Sequence, residues 1–318
     1  MCDRLDDTDA AFKYFTESNR CSGATPAATQ SDHQGYAADI DGLAARFSAD
    51  WTAGWRRLDV AGSRSGLVFL VGFPRSGTTL LDTILRTHPA INVVEETPAV
   101  INMLNALERL PGGHPDGLAE LSAAQVMELR QVYFAELNTH LDINDDAVIL
   151  IDKLPLNIIA AGLIHRIFPE ARFVFAQRHP CDCVLSCFMQ NFALNDAMAN
   201  FLNLEDAARL YHKVMTLWLQ YQSALPLQVH TVRYENLIED FEETLTPLLD
   251  FLGLDWDEGL RDYTATAYRR GKIKTPSYNQ VTQPLYTHAR GRWQRYRQHL
   301  QPVLPLLLPW AERFGYGE

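Results

Sequence analysis

The sequence predicts an α/β fold of three layers, a central parallel sheet flanked by helices, with a short helical extension at the N-terminus. Three observations predict it. From Gly66 onward, short continuous apolar runs alternate with amphipathic helical stretches, the pattern of strands buried on both faces. The first run, G-L-V-F-L-V-G-F-P-R-S-G-T-T-L-L over 66–81, enters a glycine-framed loop and then a helix, the layout of a P-loop-type fold. Residues 1–62 show helical patterns and no strand.

The extension, 1–62, carries Ala11, Phe12 and Phe15 at helical spacing within 8–19, then a polar stretch over 22–34 and a second helical pattern over 40–55. Neither pattern recurs, so no repeat array is indicated. In the body, 63–318, the first strand covers 67–71 and a helix starts at Thr78. A short extended run at 91–94 is followed by a helix over 126–141 and a buried strand over 147–151. Helix 158–168, strand 172–176 and helix 181–192 come next. A long helix over 204–224, a strand over 228–233 and a helix over 241–252 complete the alternation. Sheets of this kind hold ligands at the carboxyl ends of their strands, where the glycine-framed loop lies.

Composition narrows the function classes. The 318 residues are 47% hydrophobic and carry a net charge of −11, which argues against bulk nucleic-acid or anionic-membrane binding. The acidic start lacks an apolar core of the signal-peptide kind, and no apolar run reaches the length of a membrane span. Five cysteines without a signal do not make a disulfide framework. The expectation is a cytoplasmic protein with no membrane span and no nucleic-acid partner.

The loop carries the chemistry. A nucleoside-triphosphatase loop reads G-x-x-x-x-G-K-[ST], with its Lys on the outer phosphates and its hydroxyl on Mg²⁺. Here Gly72 and Gly77 keep the spacing, Thr78 replaces the Lys, and the cation moves into the loop as Arg75. The two glycines are expected to tolerate positive φ and let N–H groups converge on an anion. The helix opening at Ser76, Gly77, Thr78 and Thr79 adds unpaired N–H groups and hydroxyls. Arg75 adds a planar fork suited to paired oxyanion oxygens. The plainer alternative is an ordinary strand-turn-helix with an N-capping Ser or Thr.

A second strand-to-helix junction, F-V-F-A-Q-R-H-P-C-D-C-V-L-S over 173–186, puts Arg178 at a strand end and Ser186 on the following helix. The pair is suited to a second phosphate; the alternative is an Arg178–Asp182 ion pair. Cys181, Cys183 and Cys187 read as buried small hydrophobes rather than a metal cluster. His165, His179 and His288 read as structural.

Together, G-F-P-R-S-G-T-T-L and R-H-P-x-D-x-x-x-S resemble sulfotransferases that use 3′-phosphoadenosine 5′-phosphosulfate (PAPS) and release 3′-phosphoadenosine 5′-phosphate (PAP). The P-R-S-G-T-T-L form and the later E-E-T are most similar to tyrosylprotein sulfotransferases and to bacterial relatives fused to tetratricopeptide repeats, over about 66–315. The helix near 8–19 is then readable as a remnant of the last such repeat. By this resemblance Arg75 to Thr79 hold the phosphosulfate, and Arg178 and Ser186 the 3′-phosphate. Tyr234 contacts the nucleotide, while Ser277, Gln280 and Arg292 belong to a segment that closes over it. Glu96, in V-V-E-E-T, matches the family's catalytic Glu, and its neighbour Glu95 is expected to raise its pKa. The alternative for this pair is helix capping after Pro98. Lys153 resembles the Lys that neutralises the sulfuryl oxygens, the alternative being a salt bridge to Asp152. Catalysis is thus assigned to Glu96, Arg75, Lys153 and Ser277, with no metal expected.

Two departures qualify the resemblance. Pro98 and Gln190 stand where tyrosylprotein enzymes carry Arg, and a Pro cannot recruit an acidic peptide. The acceptor is a hydroxyl compound, small molecule or peptide, whose specificity falls to loops around 103–121 and 192–204. The basic run over 261–300 reads as an electropositive lid. A homodimer stays open. Two other functions compete: a kinase-like phosphotransferase with a degenerate loop, and a non-catalytic nucleotide-binding adaptor. The missing Lys disfavours the first, and the joint presence of Arg75, Glu96 and Lys153 the second.

Overall fold

A computed structural model of the chain describes residues 2–58, 60, 64–140, 149–264 and 290–317. The strands β1 (Leu67–Gly72), β2 (Ile91–Glu95), β3 (Ile149–Lys153), β4 (Arg172–Gln177) and β5 (Gln228–Arg233) form one parallel sheet in the order β2-β3-β1-β4-β5. The extension folds into α1 (Thr8–Gly23), α2 (Pro26–Gln30), α3 (His33–Arg46) and α4 (Ala49–Ala53). The body adds α5 (Thr78–Leu85), α6 (Ala99–Leu107), α7 (Ala123–Leu137), α8 (Ala161–Ile167), α9 (Pro180–Phe188) and α10 (Leu204–Ala224). After β5 come α11 (Tyr234–Glu239), α12 (Phe241–Leu252), the short turns α13 (Arg292–Arg295) and α14 (Arg297–Leu300), and α15 (Leu304–Arg313).

Strand alternation splits the interior into two layers. Leu67, Phe69 and Val71 pack with Leu150, Phe173 and Phe175 against α7, α9 and α10. Val68 and Leu70 pack with Ile151, Val174 and Val232 against α5 and α12. β1 connects onward to β2 on one side of the sheet and β4 to β5 on the other, so the direction of connection reverses between β1 and β4. The crevice between the carboxyl ends of β1 and β4 is where Gly72–Gly77 and Arg178 emerge.

Local chemistry moves several expected boundaries. The pattern over 40–55 is two helices, since Phe47 turns extended and Ser48 restarts the helix by accepting from the Trp51 N–H at 3.2 Å. Leu154 is extended before Pro155, so the expected helix over 158–168 begins as a 3₁₀ turn, Pro155–Ala160, before α8. Helix α9 starts at Pro180, whose missing N–H costs nothing in a first turn, and ends at Phe188. Helix α6 is the helix expected after Pro98, and it runs from Ala99 to Leu107. The extension packs on the body: Ile40, Leu43 and Phe47 join the core beside α10, and Asn19 donates to the Phe188 carbonyl at 2.9 Å.

Neighbouring residues of β3 face opposite layers. Asp152 turns to the α7 side, where it accepts from the Tyr133 hydroxyl at 2.9 Å, and burial raises its pKa from 3.8 to about 7 against the pull of Tyr133 and Lys153. The folded chain therefore keeps a proton that the unfolded chain has lost, and stability falls as pH rises through that window before levelling off. Asp152→Asn is expected to remove this slope, worth about 4 kcal/mol between about pH 4 and pH 7. Urea unfolding of both proteins across that range checks it; an unaltered slope would refute the assignment.

Candidate functional site

The loop after β1 is shaped by two different constraints. Gly72 has no positive φ, contrary to expectation; a Cβ there would lie 2.6 Å from the Ala176 carbonyl oxygen and 2.7 Å from Ser76 Oγ. What demands glycine is the close approach of β4. The left-handed residues are Arg75, at φ 69°, and Gly77, at φ 98°. A Cβ on Gly77 would also meet the Tyr234 ring at 2.6 Å. Gly77 is the N-cap of α5 and no side chain caps that helix, so its first-turn N–H groups face the loop. Among the described residues, buried Ser76 Oγ has no hydrogen-bond partner. A loop with such a hydroxyl, helix terminus and Arg fits an anion.

Both motifs meet here. Arg75 Nε donates to Ser186 Oγ at 3.1 Å, and Arg178 Nη1 donates to the Arg75 carbonyl at 3.0 Å. The Arg178 guanidinium lies 4.9 Å over the Tyr234 ring. Burial lowers the pKa of Arg75; burial also acts on Arg178, but Asp182 and further acidic neighbours raise it. Both arginines keep their charge. Cys187 donates its thiol to the Pro74 carbonyl at 3.3 Å, and burial pushes the Cys181 thiol up to about 12, consistent with inert packing. His179 is structural: its ring accepts from the Cys181 N–H at 3.2 Å and stacks on Trp293 at 4.9 Å.

The basic lid takes a different form. Asp182 accepts from the Gly291 and Trp293 N–H groups, both at 2.8 Å, and so anchors the segment carrying Arg292. Arg292 itself pairs with Asp3 at 3.0 Å, and Arg295 with Asp6 at 2.6 Å. Arg261 pairs with Glu242 and Glu258, and Arg290 with Glu239. These described members of the run are thus matched by carboxylates rather than gathered at the loop. Ser277, Gln280, His288 and the cations over 269–274 lie outside the described residues.

A third group sits at the ends of β2 and β3. Lys153 is 0% exposed, with Nζ 3.0 Å from Glu96 Oε1, 3.3 Å from Glu95 Oε2 and 3.9 Å from Asp82 Oδ2. The Lys153–Asp152 alternative fails because adjacent strand residues face opposite layers. Asp82 also pairs with Arg86, and burial raises its pKa against the pull of Arg86 and Lys153. The expected Glu95–Glu96 repulsion is not the leading contact: the charge that Glu96 meets at 3.0 Å is an ammonium. Neither Glu caps α6, whose N-cap is Pro98 with no side-chain bond. Glu96 is left-handed at φ 54°, its N–H donating to the Lys153 carbonyl at 2.9 Å while its side chain remains 38% exposed. Sequence reasoning missed Asp82 and Arg86. The signal was an acid four residues before an Arg inside the otherwise apolar face of α5.

Gly77→Ala is expected to cost about 2 kcal/mol or more, the left-handed strain plus the collision with Tyr234. Gly253 is left-handed at φ 74° in open space, so Gly253→Ala should cost only the strain, about 1 kcal/mol. Urea unfolding of the two variants separates the contributions; equal losses would refute the Tyr234 contact as a constraint.

The sulfotransferase family model matches residues 68–258. An uncharacterized protein of Aquifex aeolicus is 28% identical over 248 residues, covering 76% of this chain, which spans about a third (32%) of that longer relative. Protein-tyrosine sulfotransferase 2 of Gallus gallus is 24% identical over 277 residues, covering 79% of this chain and 72% of its own length. Among solved structures, the sulfotransferase domain of the Synechococcus PCC 7002 olefin synthase has a TM-score of 0.55 at 22% identity, covering 83% of this chain and 100% of that domain, and so shares the fold. With its glycine-framed loop, the Ser186–Arg75–Arg178 chain of contacts and the Lys153–Glu96 pair at the carboxyl ends of one parallel sheet, the chain belongs to the sulfotransferase family.

Proposed function

We propose that the chain transfers a sulfuryl group from PAPS to a hydroxyl acceptor, with Glu96 as general base. The observation that carries this reading is the 3.0 Å Lys153–Glu96 contact beside the loop of Arg75. When bound, PAPS supplies the sulfuryl group: the acceptor oxygen bonds to sulfur as the bond to the 5′-phosphate oxygen breaks, leaving a sulfate ester and PAP.

In this reading the residues divide the work. Arg75, the Ser76 hydroxyl and the α5 terminus take the negative charge that grows on the leaving phosphate. Arg178 and Ser186 are the candidates for the 3′-phosphate, beside the Tyr234 ring. Lys153 neutralises sulfuryl oxygens, and its fixed position costs no reorganisation during reaction. Glu96, accessible and held by its backbone bond to Lys153, takes the acceptor proton. Family membership removes the ground for a kinase-like phosphotransferase.

Glu96→Gln is expected to lower kcat by about a hundredfold to ten-thousandfold with PAP affinity unchanged. Lys153→Met is expected to lower kcat comparably and also to destabilise the fold by about 3 kcal/mol, since three carboxylates lose their shared cation. Transfer from radiolabelled PAPS and calorimetric titration with PAP check both. A Glu96→Gln enzyme at the wild-type rate would overturn the assignment of the base.

A further inference from the structure

A cavity of about 850 Å³, a size suited to a small-molecule ligand, is lined by segments that follow Lys153 and Glu96 directly in the chain. Its lining begins at Leu154, the residue after Lys153, and continues with Val100, Ile101 and Leu104 of α6, the helix that follows Glu96 and Pro98. Residues of both expected acceptor loops line it, including His114 and Asn195. Part of the lining is unforeseen: Ile40, Gly42 and Leu43 of α3 bring the extension to this cavity.

Three features define what this cavity accepts. Its side chains are mainly aliphatic, and Ile101, one of the few large apolar side chains left open to solvent, is 49% exposed on its wall. The charged lining is acidic, Asp39, Glu108 and Asp116 against Arg46. Arg46 is already committed, to Asp116 at 2.5 Å and to the Trp51 ring at 4.1 Å. His114 is neutral at physiological pH, because burial lowers its pKa to about 4. Among the described lining residues an anionic acceptor would meet carboxylates and no available cation, whereas an uncharged apolar one would replace water against aliphatic walls.

We infer that the acceptor is an uncharged apolar alcohol or phenol, seated in this cavity with its hydroxyl toward Glu96, and that α3 of the extension forms one wall of the acceptor site. The inference rests on the sulfuryl-transfer reading above. It separates this chain from enzymes that modify tyrosine in acidic peptides, in agreement with Pro98.

Gly42 offers a clean probe. It lines the cavity, is solvent-exposed, and a Cβ built there meets nothing within 4 Å. Gly42→Leu thus fills space without a clash and replaces a poor helix former with a good one. PAP is first titrated calorimetrically into the full chain; absence of binding would refute the donor reading, independently of the acceptor. Para-heptylphenol is then titrated into the PAP-bound protein, and its sulfation from labelled PAPS is compared with that of a peptide bearing tyrosine among glutamates. The phenol is expected to bind and to be the better acceptor, and Gly42→Leu to raise its KM about tenfold or more while leaving PAP affinity unchanged. Ile101→Glu should do the same by placing charge on the wall. With PAP bound, failure of the phenol to bind, preference for the acidic peptide, or an unchanged KM in both variants would overturn the inference.

Discussion

The fully buried ammonium of Lys153 is the charge on which the arrangement of the site depends. An isolated ammonium removed from water costs several kcal/mol, so it is tolerated only with compensating carboxylates and hydrogen bonds. Two elements supply them: β2 ends on Glu95 with Glu96 next in the chain, and α5 brings Asp82. Those partners are costly to bury in turn, and Arg86 joins Asp82 to offset them. The result ties the end of β2, the end of β3 and the helix behind the phosphate loop into one charged group. Movement of any of these elements would strand a buried charge. That rigidity suits chemistry in which a base and a cation must be fixed before the reacting groups arrive.

Two of the left-handed non-glycine residues, Arg75 and Glu96, lie in the segments that leave β1 and β2. Each holds a strained conformation worth about 1 kcal/mol or more, and each is locked by what surrounds it. The Arg75 carbonyl accepts from Arg178, and the Glu96 N–H donates to Lys153. Beyond this strained backbone the Arg75 side chain reaches Ser186 and the Glu96 side chain reaches Lys153.

The layered fold was legible because Leu67–Gly72 and Arg172–Gln177 are apolar on both faces, which only a covered parallel strand requires. Arg75, Arg178, Ser186 and Tyr234 were legible because their motifs sit where strands hand over to helices, and the structure gathers them. The role of Gly72 was not, since a close approach from β4 depends on a neighbour more than a hundred residues away. The pairing of Arg292 with Asp3 was hidden for the same reason, as a charge run says nothing about which distant acids will meet it. The Asp82–Arg86–Lys153 group was only half visible, because spacing shows the helix pair but not the strand that faces it.

The extension shows the limit of reading by segments. It contacts the body through two kinds of interaction with different strengths. The ion pairs of Asp3 and Asp6 with Arg292 and Arg295 are partly exposed, and pairs of this kind contribute about 0–1 kcal/mol each. The apolar contacts are stronger: Ile40 and Phe47 are both 0% exposed, and burial of one such side chain contributes about 2 kcal/mol. What fixes α3 in place is therefore its buried apolar face along α10, not the charged clasp near the chain start. A helix held that way presents its other residues, Gly42 among them, at a constant position. That constancy is what the wall inferred for the acceptor cavity requires, and it follows from α3 sharing the core of the body.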